Sequence, residues 1–230
     1  DIGNVSSDQI SDVTIDQSNG DIYMVGDMSS TSGFPLFNAG GWYDTTTSGN
    51  ADAYICRFDS NNALTWGTLI GGDGIDYGYV VGVSNGYVYL VGRGSDNFPV
   101  NDVGGGAYYD NSYNGGISDI FFSVFPTATT TKSHATYYGG SSADNVFGMC
   151  FNGTGDILLA GTTTSSNFPT LDSQGDAYYD GTYGGNADAF IVRLDGMNWS
   201  QEWATYYGGA EAEIMNEQNC IAADMYCEDI

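Results

Sequence analysis

Polar and apolar residues alternate over Asp12-Val13-Thr14-Ile15-Asp16, the period-two pattern of a strand with one buried face. Ser18-Asn19-Gly20 is a turn signal. Ile22–Gly26 follows as a more evenly apolar run, the mark of a strand covered on both sides. After a polar, Gly-rich loop, Asp52–Phe58 and Leu64–Ile70 are predicted as a third and a fourth strand, joined by a turn at Ser60-Asn61-Asn62. The same order recurs twice. Tyr79–Val83, Tyr87–Val91, Asp119–Phe125 and His134–Tyr138 form one set. Val146–Phe151, Asp156–Ala160, Asp188–Leu194 and Glu202–Tyr207 form the next.

The recurrence has a fixed period. Thr-Tyr-Tyr-Gly-Gly starts at positions 136 and 205, and its weaker form Thr68-Leu69-Ile70-Gly71-Gly72 starts at 68, giving steps of 68 and 69 residues. A period of this length denotes tandem supersecondary units, here about 1–72, 73–140 and 141–209, with a divergent tail or the start of a fourth unit over 210–230. Val13, Val81 and Met149 fall in register, as do Ile15, Val83 and Phe151. Four strands alone cannot bury apolar residues on both faces, so the units must stack. The fold class expected is all-β: a single β-propeller-type array of four-stranded antiparallel blades, about three with the beginning of a fourth. Three blades and a stub are too few for a closed ring, so the array is partial or completed by other chains. Because strands alternate in direction, the long loop between second and third strands and the Gly-Gly link to the next unit belong on one rim.

Charge narrows the partners. Asp and Glu number 29 against four Lys and Arg, a formal net charge of −25. Such a surface repels nucleic-acid phosphates and anionic membrane faces, and no apolar run is long enough to be inserted in a bilayer. Solubility by self-repulsion accounts for the excess; binding of Ca²⁺ or Mg²⁺ is the alternative. No leader-like segment stands at Asp1, which is either a mature terminus or the start of an excerpt. Four cysteines do not make a disulfide framework; Cys220 and Cys227, close together in the tail, are the candidate pair, with two free thiols as the alternative.

Trp203-Ala204-Thr205-Tyr206-Tyr207-Gly208-Gly209, the Phe-Pro pairs at 34–35, 98–99 and 168–169, and Asp188-Ala189-Phe190-Ile191-Val192-Arg193-Leu194-Asp195 resemble the SBBP family of β-propeller repeats. The likeness runs over about residues 5–209. It departs in the tail and at Leu69-Ile70, which stand where the Tyr pair is expected. The resemblance implies a secreted or surface-attached bacterial protein of the Bacteroidota type, exported by a type IX route, and an extracellular scaffold or adhesive module. It implies no ligand.

The candidate chemistry is repeated rather than unique. His134, the single histidine, stands where the other units have Trp66 and Trp203, so it is a packing position. Cys56 aligns with Ser123 and Val192, again a packing position. Asp8, Asp76 and Asp144 recur 68 residues apart and are continued by Glu213; Asp52, Asp119 and Asp188 open each third strand. Capping of turn N–H groups explains both series; Ca²⁺ held between adjacent blades by Asp8, Asp76 and Asp144 is the alternative. The long loops carry Trp42-Tyr43-Asp44, Tyr108-Tyr109-Asp110 and Tyr178-Tyr179-Asp180. Aromatics beside carboxylates suit sugar stacking or protein contact, while rings that staple each loop to its own blade are the alternative. No Ser has a base, and no acid–base pair can be assigned. The expectation is therefore a non-catalytic extracellular module whose partners are other protein domains or copies of itself. Glycan binding through the loop aromatics, or a part in a polysaccharide-active enzyme, are the alternatives.

Overall fold

The computed structural model describes residues 8–213, all of them strand, turn or loop with no helix. No helix long and apolar enough to cross a membrane occurs among them. Three four-stranded antiparallel sheets are formed, each from consecutive strands. The first holds β1 (Asp8–Ile15), β2 (Ile22–Met28), β3 (Asp52–Phe58) and β4 (Leu64–Ile70). The second holds β5 (Tyr77–Ser84), β6 (Tyr87–Gly94), β7 (Asp119–Pro126) and β8 (His134–Tyr138). The third holds β9 (Asp144–Phe151), β10 (Ile157–Thr163), β11 (Asp188–Leu194) and β12 (Gln201–Tyr207). Each sheet is blade-like, with strand order equal to chain order.

The first strand of each sheet starts earlier than alternation predicts, because each carries a β-bulge. Pairing of β1 with β2 skips a residue between Ile10 and Asp12, β5 with β6 between Gly78 and Val80, and β9 with β10 opposite Ala160/Gly161. A bulge breaks the two-residue period, so the segment before it loses its pattern. It also presses backbone against the partner strand. A Cβ on Gly92 would sit 1.9 Å from the Tyr77 carbonyl oxygen, and Gly26 and Gly161 meet Gln9 and Asn145 in the same way. Only glycine fits at these second-strand positions.

The sheets stack through their first strands: β5 packs on β1, β2 and β3, and β9 on β5, β6 and β7. Strand alternation therefore gives the middle sheet two buried faces. Val88, Leu90, Phe121 and Phe125 join Tyr23, Val25 and Ile55 in the core between the first and second sheets. Tyr89, Val91, Phe122 and Val124 join Leu159, Phe190 and Val192 in the core between the second and third. Each such side chain contributes about 1.5–3 kcal/mol on burial. A smaller cluster around Met28, Phe34, Tyr54, Cys56 and Leu69 covers part of the far face of the first sheet.

Candidate functional site

The rim that carries the long loops is built by one repeated set of contacts. The end of each long loop pairs with the stretch after the following Gly-Gly link: Ala51 bridges Ile75 and Ala187 bridges Ala212, both parallel. Asp76, Asp144 and Glu213 donate backbone N–H groups to the carbonyls of Ala51, Ser118 and Ala187 at 2.9, 3.1 and 2.9 Å. Loops and links thus share one surface, as the strand directions require.

The aromatic-acidic triplets divide by position. Trp42, Tyr108 and Tyr178 lead them, and each presents its carbonyl to the ring on its own fourth strand. Trp66 Nε1 donates to Trp42 at 3.0 Å, Trp203 Nε1 donates to Tyr178 at 2.9 Å, and His134 Nε2 lies 3.0 Å from the Tyr108 oxygen. Asp44, Asp110 and Asp180 staple the loop. Their N–H groups donate to the hydroxyls of Thr68, Thr136 and Thr205, each at 2.8 Å. Their Oδ1 atoms accept from the N–H two residues on, at Thr46, Ser112 and Thr182. That leaves Tyr43, Tyr109 and Tyr179, which are 38%, 37% and 40% exposed. Only this middle residue is offered to solvent equally by all three loops.

The Phe-Pro and Tyr-Tyr motifs also become structural. The Tyr137 hydroxyl accepts from Phe98 N–H at 2.8 Å and donates to the Ser95 carbonyl at 2.6 Å. Tyr206 does the same for Phe168 and Ser165 at 3.0 and 2.7 Å. Phe98 and Phe168 stack on Phe121 and Phe190 at 4.3 and 4.5 Å. Leu69 has no hydroxyl to do this in the first sheet, where the Phe34 N–H donates to the Thr31 carbonyl at 3.2 Å and the Phe34 ring still lies on Tyr54, in register with Phe121.

The two carboxylate series cap turns and meet each other. Asp76 and Asp144 accept from the N–H of Gly72 and Gly140 at 2.8 and 2.7 Å, and both take the hydroxyl of Ser95 or Ser165. Asp52, Asp119 and Asp188 accept from Ser48, Asn114 and Gly184 N–H. Spacing alone did not reveal that Asp52 faces Asp76, or Asp119 faces Asp144, because the partners belong to different repeats. Burial, then the like charge of Asp76 or Asp144, pushes Asp52 and Asp119 up to about 7 despite those N–H donors. Burial likewise raises Asp76 and Asp144. Asp8 opens β1 opposite Met28, and its charge adds to the burial that raises Asp27 to about 6. Among the described residues no group of three His, Cys, Asp or Glu gathers at one point.

Cys56 is buried and its thiol is pushed up to about 12 by desolvation. Cys220 and Cys227, the candidate pair, lie outside the described residues. A shallow cleft of about 640 Å³ runs between Trp42 and Lys132, whose ammonium stands 3.9 Å above the Trp42 ring. A second, at the third sheet, is lined by Tyr178, Arg193, Glu202 and Trp203.

Neither family models nor curated proteins match the chain.

The ends of the stack differ from its interior in one respect. In the interior, each fourth-strand ring is covered by the next sheet: Trp66 meets Phe125 edge-on at 5.2 Å, and His134 stacks on Trp199 at 5.6 Å. Trp66 and His134 are fully buried. The loop in front of each is tied across as well, since Trp42 and Tyr108 donate N–H to the carbonyls of Thr130 and Trp199, both at 2.9 Å. Trp203 and Tyr178 meet no such sheet among the described residues. Tyr178 is 55% exposed, and Trp203 is half-buried. At the other end, Val13 and Ile15 are 60% and 50% exposed, whereas Val81, in register with Val13, is buried.

Proposed function

We propose that this chain is a non-catalytic interaction module whose working surfaces are its two end faces, each made to receive another sheet of the same kind. The observation that carries it is the repeat of one docking geometry at both internal interfaces, with the same residue positions left open at both ends. Val13 and Ile15 stand where Val81 and Val83 pack on the first sheet. Leu158, Ala160 and Ile191, half-buried, stand where Tyr89, Val91 and Phe122 receive the third. The partners that fit are further blades, either in a longer chain or in a second copy joined head to tail. The chain's resemblance to SBBP repeats agrees with this and adds an extracellular or cell-surface setting. Among the described residues the repeated polar groups serve turns and loops, and the repetition of the candidate site residues in every unit favours a scaffold or adhesive role.

Sedimentation velocity over a range of concentrations tests it. The net charge of −25 opposes association at low salt, and near 1 M salt the screening length falls to about 3 Å. Association should therefore appear, or strengthen, as salt rises, and Val13→Asp should abolish it. A monomer at all concentrations and salts would contradict the reading.

Glycan binding is the second reading, favoured by the equal exposure of Tyr43, Tyr109 and Tyr179. A glycan array compared with the Tyr109→Ala/Tyr179→Ala variant separates the two. Binding lost in the variant supports it, and binding absent or unchanged removes it.

A further inference from the structure

Each Gly-Gly link sets a glycine against the buried carboxylate that opens the preceding third strand. At the link between the second and third sheets, Asp119 and Asp144 are both fully buried. A Cβ on Gly139 would lie 2.7 Å from Asp144 Oδ2 and 3.1 Å from Asp119 Oδ1, so only the missing side chain lets the two acids approach. A Cβ on Gly71 would lie 2.6 Å from Asp52 Oδ1, and one on Gly208 would lie 2.5 and 2.9 Å from Glu213 Oε2 and Asp188 Oδ1.

At all three links the same atom is left over. Oδ1 of Asp52, Asp119 and Asp188 is buried and accepts no hydrogen bond, while Oδ2 of each is used by a backbone N–H. The three side chains are at most 1% exposed. Glu213 Oε2 is also without a donor. Asp144 Oδ1 is likewise buried without a hydrogen-bond partner, while its Oδ2 accepts from the Gly140 N–H and the Ser165 hydroxyl. No Lys or Arg is ion-paired to any of these acids; the ion pairs among the described residues join Arg193 to Asp156 and to Glu202. At the Asp119/Asp144 link, two buried carboxylates that each keep an unsatisfied oxygen, with no basic side chain paired to them, call for a hard cation.

We propose that the link between the second and third sheets binds a calcium ion through Asp119 and Asp144, and that the links at Asp52/Asp76 and Asp188/Glu213 are sites of the same kind. The ion ties the end of one sheet's long loop to the first strand of the next. With two carboxylates per site, the remaining ligands are main-chain carbonyls and water, which places the affinity at the weak end, about 10⁻⁴–10⁻³ M. The proposal stands apart from the end-face reading, and either can fail alone.

Thermal unfolding at pH 7.5 in EDTA, and in calcium at about ten times Kd, tests the site, with sodium chloride at equal ionic strength as control. Calcium should raise Tm by about 3–6 °C per occupied site beyond the control, and Asp119→Asn should remove the share of one site. Terbium titration of the unaltered chain gives a readout that does not depend on the variant folding. Tyr113 and Tyr137 lie close enough to Asp119 to feel its charge, so they should sensitise terbium emission. The emission should saturate at no more than three ions per chain and be displaced by calcium. No saturable emission, a calcium effect no larger than that of salt, or a rise unchanged in Asp119→Asn would overturn the proposal. So would a Tm blind to calcium that climbs as pH falls from 7 to 5 in EDTA, because a shared proton would then fill the gap.

Discussion

His134 Nε2 and the Tyr108 carbonyl oxygen are 3.0 Å apart, in the place where an indole N–H bridges the same two positions in the other sheets. Val103 N–H donates to Nδ1 at 3.4 Å, which leaves the proton on Nε2. The ring is thus a neutral substitute for tryptophan, stacked on Trp199 and buried. Desolvation lowers its pKa below the ordinary 6.5, against the Tyr108 carbonyl and the charge of Asp102, which raise it.

The sign of the pH dependence follows. Below pH 6.5 the unfolded chain binds a proton at His134 that the folded chain refuses, so this residue's contribution to stability is whole above 6.5 and is lost as pH falls. Denaturant unfolding of the chain and of His134→Gln from pH 7.5 to 5 isolates it, since the carboxylates are common to both. The stability difference between the two should shrink as pH drops. A constant difference would mean that the ring is protonated in place.

Tyr137 holds the loop with a hydroxyl that both accepts and donates. Tyr137→Phe leaves Phe98 N–H and the Ser95 carbonyl without that partner, at a cost of about 1–3 kcal/mol. Tyr206→Phe should cost a similar amount. Leu69→Tyr should gain nothing, because the first sheet already fills that position with Leu69 packed near Phe34 and Tyr54. Equilibrium unfolding of the three variants checks this.

The bulge makes Gly92 irreplaceable, while Gly153, in the turn between β9 and β10, is free. Gly92→Ala drives a methyl into the Tyr77 carbonyl and should cost at least about 1–3 kcal/mol. Gly153→Ala meets nothing within 4 Å and should stay within about 0.5 kcal/mol of the parent chain. Equal effects of the two would remove the bulge from the account.

Strands β3, β4, β8 and β11 stand at the residues that hydrophobic pattern and turn chemistry predict, because each is a compact apolar run bounded by turn or loop residues. The starts of β1, β5 and β9 were hidden by the bulged residue, which shifts the period by one. The packing role of His134 was legible because Trp occupies the same place twice. The convergence of Asp119 with Asp144 was not legible, since it depends on how one unit's loop meets the next unit's first strand. Nor could spacing separate Tyr109, which is exposed, from Tyr108, which rests on Tyr138 at 4.6 Å.

Hydrogen exchange followed by mass spectrometry at low and high protein concentration, in about 1 M salt to screen the charge, tests the central claim most directly. If the end faces are docking surfaces, peptides from β1 and from β10–β12 gain protection as concentration rises, while those from β5–β8, already covered on both sides, do not change. Exchange that is independent of concentration in β1 and β10–β12 would contradict the account.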